Sequence, residues 1–309
     1  MRSPQVQVVI DLDHIRAAAE SIRAMTGVRL IAVIKADAYG CGAKRVADAL
    51  ASVADEFAYF WLSEAREMGR PGLVLGPADG SPSDYRDLGV RPAVGTVAEA
   101  ERFTGLRVAL RVDTGMQRFG CLPEELDDLV GHCDVEDFYS HVDTVAAAQR
   151  LQAACAGRGR PFHAAATSLL DHPETWFDAV RPGLALYRGA VRVTTRLHAV
   201  RQTSGPIGYT GFEHPHVGVI LAGYSNFLQL GPVVINGHQQ RTLEIGMNTT
   251  FVSVDPHDKP GDEVTLLGDG LDEAELAQHF DIRQHEVLCR YTAMGPRHYT
   301  TGGRPPTPS

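Results

Sequence analysis

Eight short apolar runs, each followed by an amphipathic stretch, constrain this chain more than any other feature. They are "RLIAVIKAD" (29–37), "FAYFWLS" (57–63), "GLVLG" (72–76), "RPAVG" (91–95), "VALRVDTG" (108–115), "DFYSHV" (137–142), "FHAAATS" (162–168) and "VRPGLALY" (180–187). Between them lie segments such as "CGAKRVADALASV", "TVAEAERFTG" and "LPEELDDLVGHC". Strands that are continuously apolar rather than alternating are buried on both faces, and a helix after each one signals a parallel sheet. Eight such units predict an α/β architecture, a TIM-type (β/α)8 barrel over residues 10–194. The runs are closely spaced, so some helices must be short, and an open parallel sheet is the alternative.

After residue 194 the rhythm changes to strand-like runs separated by polar and Gly/Pro turns, among them "HVGVILAGYS", "GPVVINGHQQRTLEI", "TTFVSVD" and "DEVTLLG". "NG" at 236–237 is a hairpin signal. "DEAELAQHF" is the one helical candidate in this region. A mainly β domain is therefore expected over residues 195–300, with the N-terminal strand-like residues 1–9 able to join it. Residues 301–309 have the composition of a disordered tail.

A net charge of −9 and the absence of a Lys/Arg-rich block argue against a nucleic-acid partner. No apolar run approaches the roughly 20 residues that span a bilayer, and the start lacks a signal-peptide pattern, so a cytoplasmic protein with no membrane partner is expected. The five cysteines form no C-x-x-C pair, which argues against a disulfide framework or a thiolate zinc site; no metal is expected.

In a parallel barrel, reactive groups sit at the C-terminal strand ends and in the loops that follow. That rule selects Lys35, Asp113, Arg118, His141, Thr167, Ser168, Arg181 and Gly183. Lys35 stands out because the chain has only three lysines, Lys35, Lys44 and Lys259, against 26 arginines. An amine at an apolar strand end is desolvated, which lowers its pKa and frees its lone pair for Schiff-base chemistry, whereas a guanidinium stays protonated. The bland reading is a lysine that snorkels to the barrel mouth. Tyr39, Gly40 and Gly42 follow just before a predicted helix start, where free N–H groups bind anions. "RPGLALY" offers a second such cradle at Gly183 and Leu184, and Thr167 a hydroxyl. A Schiff-base lysine beside a phosphate-like cradle suggests pyridoxal phosphate.

These segments together resemble the alanine racemase family: "VIKADAYGCG", "RVDTGMQRFG" (111–120), "SHVDT" (140–144), "FDAVRPGLALY" (177–187), "LAGYSN" (221–226), "GMN" (246–248) and "PGDEVTLLG" (260–268). The resemblance implies a pyridoxal-phosphate enzyme, a barrel followed by a C-terminal β domain, that interconverts L- and D-alanine as a homodimer with shared active sites. It implies that Lys35 carries the cofactor and transfers a proton on one face of the substrate, and that Tyr224, lent by the partner subunit, does so on the other. His141 and Arg181 then bond around that tyrosine and the pyridine nitrogen, and Arg118 orients the cofactor's phenolic oxygen and the substrate carboxylate. Tyr39, Thr167, Gly183 and Leu184 fall where the phosphate is held, and Met247 where a backbone N–H meets the substrate. Arg111 stands where the family often carries a carbamylated lysine, and Asn248 where it carries aspartate. A racemase or epimerase of another or several amino acids, or a non-catalytic cofactor-binding homologue, is the alternative.

Overall fold

The eight apolar runs become eight parallel strands: β2 (Arg29–Val33), β3 (Glu56–Tyr59), β4 (Gly72–Val74), β5 (Val90–Val94), β6 (Arg107–Arg111), β7 (Asp134–Tyr139), β8 (Phe162–His163) and β9 (Ala179–Val180). They pair in sequence order, and β9 pairs back onto β2 through Arg29 with Ala179 and Leu30 with Val180, so the barrel is closed and the open sheet is not formed. This computed structural model describes residues 5–301.

Several strands are shorter than their apolar runs. The "FHAAATS" run leaves the sheet after His163 and turns into a single 3-10 turn at Thr167–Leu169, and "VRPGLALY" leaves after Val180. Pro182 has no N–H to give to a ladder, and the chain beyond it forms the four-residue helix Leu184–Tyr187. Some of the barrel helices are short as well, down to the five residues Leu126–Val130, while Val145–Cys155 runs for 11. Their starts follow ordinary capping chemistry: the hydroxyls of Ser81, Thr96 and Thr144 accept the N–H groups of Asp84, Glu99 and Ala147. Inside the barrel, Leu73, Ala93, Ala109 and Tyr139 pack together, the two alanines leaving room for the large ring.

A second unit comprises the residues up to His14, Tyr39–Cys41, and those from Tyr187 onward. Its sheet has eight strands: β1 (Gln7–Asp11), β10 (Val191–Gln202), β11 (His216–Ile220), β12 (Pro232–Ile235), β13 (His238–Ile245), β14 (Thr250–Ser253), β15 (Glu263–Leu267) and β16 (Arg297–Thr300). Their order is β11-β14-β13-β12-β15-β10-β1-β16. β1 lies antiparallel to β10 and parallel to β16, with Val8 facing both Val193 and Arg297. At 236–237 the asparagine and glycine both take positive φ, +50° and +80°, and close the β12–β13 hairpin with Ile235 opposite His238.

"DEAELAQHF" forms the helix Glu273–Phe280, where the Asp272 carboxylate accepts the Glu275 N–H at 2.8 Å. A further helix, Gln284–Tyr291, was not expected from the sequence. Most of the tail expected to be disordered, like the first four residues, lies outside the described residues. No helix among the described residues is long and apolar enough to cross a membrane.

Candidate functional site

Lys35 lies just beyond β2, where the backbone reverses its hand. Ala36, Asp37, Ala38 and Tyr39 all take positive φ, between +53° and +57°, a left-handed helical turn without a glycine. L-residues disfavour this conformation by about 1–2 kcal/mol each, so the surroundings must impose it. Glu64 accepts the Ala36 N–H at 2.7 Å, the Ala38 N–H reaches Ile34 O at 2.8 Å, and Asp37 takes the Ala43 N–H on its side chain and the Gly42 N–H on its carbonyl. The turn leaves the Lys35 ammonium 5.9 Å from the centre of the Phe60 ring.

Lys35 lines a cleft of about 550 Å³, its open mouth included, at the C-terminal ends of the barrel strands. Arg111, Arg118, His141 and Arg181 share its wall with the aromatic rings of Phe60, Phe119 and Tyr139. Of the residues selected from the sequence, Lys35, Asp113, Arg118, His141 and Arg181 are thus brought together. Arg111 and Arg118 both lie against Phe119, their guanidinium carbons 4.9 Å and 5.5 Å from the ring centre. Arg111 donates to Leu75 O at 3.0 Å, while its buried Nε has no hydrogen-bond partner. Asp113 is committed to its own loop, accepting the N–H groups of Gly115 and Gln117.

Electrostatics in the cleft favour bound anions. His141 is open to solvent as a residue, yet desolvation of its ring and then the charges of Arg181, Arg118 and Lys35 push its pKa down to about 4. It is therefore neutral at neutral pH. Arg181 is fully buried; burial lowers its pKa to about 10, with Tyr139 and Asp137 acting against that, and it stays charged. Its Nη2 donates to Ser140 O at 2.7 Å, and its Nη1 to His163 O at 3.0 Å and to His163 Nδ1.

Thr167 Oγ accepts the Ala185 N–H at 3.0 Å, which ties the loop after β8 to the helix that starts at Leu184, beside Gly183. Its hydroxyl proton is left to donate elsewhere.

The β-sheet unit holds the remaining candidates. Tyr39 packs on Tyr187 with ring centres 5.0 Å apart, and burial, then Cys289, raises its phenol to about 12, so it stays protonated as a donor. Tyr224 sits in a 3-10 turn whose backbone is bound to the Met247 loop: the Tyr224 N–H reaches Gly246 O and the Ser225 N–H reaches Met247 O. Gly223 is required there, since a Cβ would stand 2.3 Å from Gly246 O. Buried Asn226 locks the turn by accepting the Gly223 N–H and donating to Met294 O. Ser225 Oγ bonds Asn248 Oδ1 at 2.8 Å. The side chains of Tyr224, Phe227 and Met247 are left 56–59% exposed.

The sequence reading passed over His163, Asp137, Arg91 and Glu64. The first three stand at the starts of their apolar runs, Arg91 in "RPAVG", Asp137 in "DFYSHV" and His163 in "FHAAATS", rather than at the C-terminal ends. Asp137 opens "DFYSHV" and, unlike Lys35, is neither a scarce residue type nor at the C-terminal end of its run.

The residues of the cleft fit an anionic aromatic cofactor: an amine, guanidiniums that only donate, a neutral imidazole and aromatic walls. Among the described residues no group of three or more His, Cys, Asp or Glu side chains is arranged to hold a metal ion.

Comparison with known proteins gives concordant matches along the chain. Residues 10–191 match the model of the alanine racemase N-terminal domain, and residues 191–299 that of the alanine racemase C-terminal domain. The alanine racemase of Xanthomonas campestris pv. campestris (strain 8004) is 30% identical, with 96% of this chain and 98% of that protein aligned. That of Neisseria gonorrhoeae (strain ATCC 700825 / FA 1090) is 28% identical over 92% and 96%. The crystal structure of the biosynthetic alanine racemase from Pseudomonas aeruginosa superposes with a TM-score of 0.86 at 25% identity, covering 97% of this chain and 100% of that one. The structure from Bartonella henselae, which holds covalently bound pyridoxal phosphate, superposes with a TM-score of 0.87 at 21% identity over 96% and 100%.

Proposed function

The chain belongs to the alanine racemase family, and on that premise we propose that it interconverts L- and D-alanine with pyridoxal phosphate, using Lys35 and Tyr224 as its two proton-transfer groups. The observation that carries the reading is the convergence of Lys35, Arg118, His141 and Arg181 on one cleft at the strand ends of the barrel.

Pyridoxal phosphate, when bound, supplies the electron sink that makes the α-proton of an amino acid labile. The residues would divide the rest of the work. Lys35 would hold the cofactor through Nζ and move a proton at the substrate Cα. Arg181 can only donate, so it would leave a ring nitrogen placed against it unprotonated, which would restrain the sink and disfavour side reactions. Neutral His141 can accept or donate without adding charge beside Arg181. Arg118 offers a charge to the substrate carboxylate. Thr167, Gly183, Leu184 and Tyr39 supply donors for the phosphate, and Met247 a backbone N–H for the substrate.

Inversion needs a second group on the opposite face of Cα. Tyr224 serves, because a phenol and an amine can alternate as acid and base when nearby cations stabilise the phenolate. Its half-exposed ring, beside exposed Phe227 and Met247, forms an apolar patch that fits a second copy of the chain. The reading therefore includes a homodimer, acting in the cytoplasm, in which each subunit lends Tyr224 to the other.

Incubation with L-alanine in deuterium oxide tests it. D-alanine carrying α-deuterium is the expected product; exchange with other small amino acids but not alanine would move the assignment to another substrate, and no exchange with any would refute it.

A further inference from the structure

A row of charged side chains runs through the barrel and ends at Arg181. Glu56 on β3 takes two bonds from Arg91 Nη2, at 2.7 Å and 2.8 Å. Arg91 Nη1 lies 2.9 Å from Asp137 Oδ1, and Asp137 Oδ2 lies 3.4 Å from His163 Nε2. His163 Nδ1 in turn meets Arg181 Nη1. Asp137 is completely buried and His163 is 1% exposed. Arg91 Nη1, both Asp137 oxygens and His163 Nε2 make no well-directed hydrogen bond to any group, so the polar contacts they have are the close charge pairs within this row.

The donors fix the protons. A guanidinium cannot accept, so His163 Nδ1 must be the acceptor and the ring proton sits on Nε2, aimed at Asp137. The charges then alternate, with Glu56 negative, Arg91 positive, Asp137 negative, His163 neutral and Arg181 positive. The Tyr139 ring restrains the upper end from the side, stacked on His163 at 5.6 Å and 9° and lying 5.0 Å from the Arg181 guanidinium carbon. Arg181 sets the tautomer, and nothing in that stack sets the height of the imidazole; the carboxylate beneath it does.

We propose that Asp137 is a positioning residue, which acts through the Nε2–H tautomer of His163 to hold the Arg181 guanidinium at the wall of the cleft. It reaches neither substrate nor cofactor. Its negative charge, two side chains below Arg181, is the buried counter-charge that lets a fully enclosed guanidinium keep one orientation. The inference rests on the reading of Arg181 as the group that faces the cofactor's ring nitrogen, while the arrangement of Asp137 and His163 stands apart from that reading.

The test uses the loaded full-length protein and the variant Asp137→Asn, which keeps the shape and removes the charge. Nitrogen-15 and proton spectra of labelled histidine rings should show His163 as the Nε2–H tautomer in both proteins, with the Nε2–H proton resonance moved upfield in Asp137→Asn, where a neutral amide replaces the charged acceptor. An unchanged His163 signal in the variant would overturn the proposal, and this readout decides it even if the chain racemises nothing.

In turnover, kcat of Asp137→Asn should fall about tenfold or more, the scale on which small misplacements act, with KM within about threefold. Glu56→Gln is the control, because it removes a charge from the same row without touching His163. It should keep kcat within about threefold of the parent, and an equal loss in the two variants would reduce Asp137 to a structural part. If Asp137→Asn does not fold, the double variant Arg91→Gln/Asp137→Asn, which removes the opposed pair together, is read the same way by NMR.

Discussion

The carboxylate of Glu64 accepts the backbone N–H of Ala36 at 2.7 Å, so the residue next to Lys35 is held by a side chain 28 positions further along. The other oxygen of Glu64 takes the N–H groups of Phe60 and Trp61, at 2.7 Å and 3.2 Å. One side chain thus fastens both the left-handed turn that presents Lys35 and the strand end that carries Phe60 against its amine.

Glu64→Ala should therefore lower stability by about 2 kcal/mol, since three backbone donors lose their acceptor and regain only water. Glu64→Gln should lose roughly half as much, because its amide oxygen still accepts. Denaturant unfolding of the two variants measures this, and cofactor retention during dialysis should fall in the same order. Equal stability of Glu64→Ala and the parent would show that the turn is held by other contacts.

Shared active sites predict complementation. Lys35→Ala and Tyr224→Phe should each be inactive alone, Tyr224→Phe keeping its bound cofactor and Lys35→Ala failing to bind it covalently. Mixed and allowed to exchange subunits, they form hybrids with one site that has both groups, and roughly a quarter of the parent activity should return, as for random pairing of two kinds of subunit. No recovery despite proven hybrid formation would place both groups of a site in one chain.

Gly40 combines a φ of +84° with a tight wall: an added Cβ would lie 1.9 Å from Thr292 Oγ. Gly40→Ala should cost about 3 kcal/mol or more, from overpacking and the left-handed backbone together. Gly40→Ala/Thr292→Ala should recover most of the clash and retain the backbone part, about 1 kcal/mol. Thermal melts of the single and double variants separate the two contributions.

Acid should weaken the barrel through His163. Burial and then the Arg181 charge depress its pKa from 6.5 to about 4, against the pull of Asp137. A base whose folded pKa is depressed takes up its proton on unfolding. Its stabilisation is complete above pH 6.5 and is lost progressively as the pH falls toward about 4. The full loss is on the order of 3 kcal/mol, since each tenfold difference in proton affinity between the folded and unfolded chain is worth about 1.4 kcal/mol. Asp137, whose contacts to His163 and Arg91 outweigh burial and hold it well below the usual carboxylate range, adds to the loss at still lower pH. His163→Gln should flatten the dependence of the melting temperature on pH between 6.5 and 4, and an unaltered slope would assign the acid sensitivity to other groups.

The parts of this fold legible in the sequence are those decided by local chemistry. Continuous apolar runs located all eight barrel strands, and Asn236-Gly237 announced a hairpin because few other pairs accept positive φ twice. The extent of a strand was less legible, because nothing in "RLIAVIKAD" says that the ladder ends at Val33. The left-handed turn was not legible at all: alanine and tyrosine have no preference for it, and it is imposed by Glu64 and by the Asp37 contacts. Lys35 stood out through the scarcity of lysine, whereas Tyr224 rested on family resemblance alone. Asp137 and His163 escaped because they stand at the starts of their apolar runs rather than at the ends, and a buried relay is recognised only when three strands are seen side by side.

The position of β1 has a consequence for the order of events on the ribosome. It is made before any part of the barrel, yet its sheet neighbours begin at Val191 and Arg297. The strand must wait, unpaired, while the entire barrel is synthesised, and its parallel neighbour follows every other strand of the sheet. Closing so long a loop is slow, and an exposed strand edge invites wrong pairings meanwhile. The β-sheet unit is therefore closed by β1 meeting β10 and β16, and a nascent chain paused short of residue 297 holds a finished barrel and an unfinished sheet.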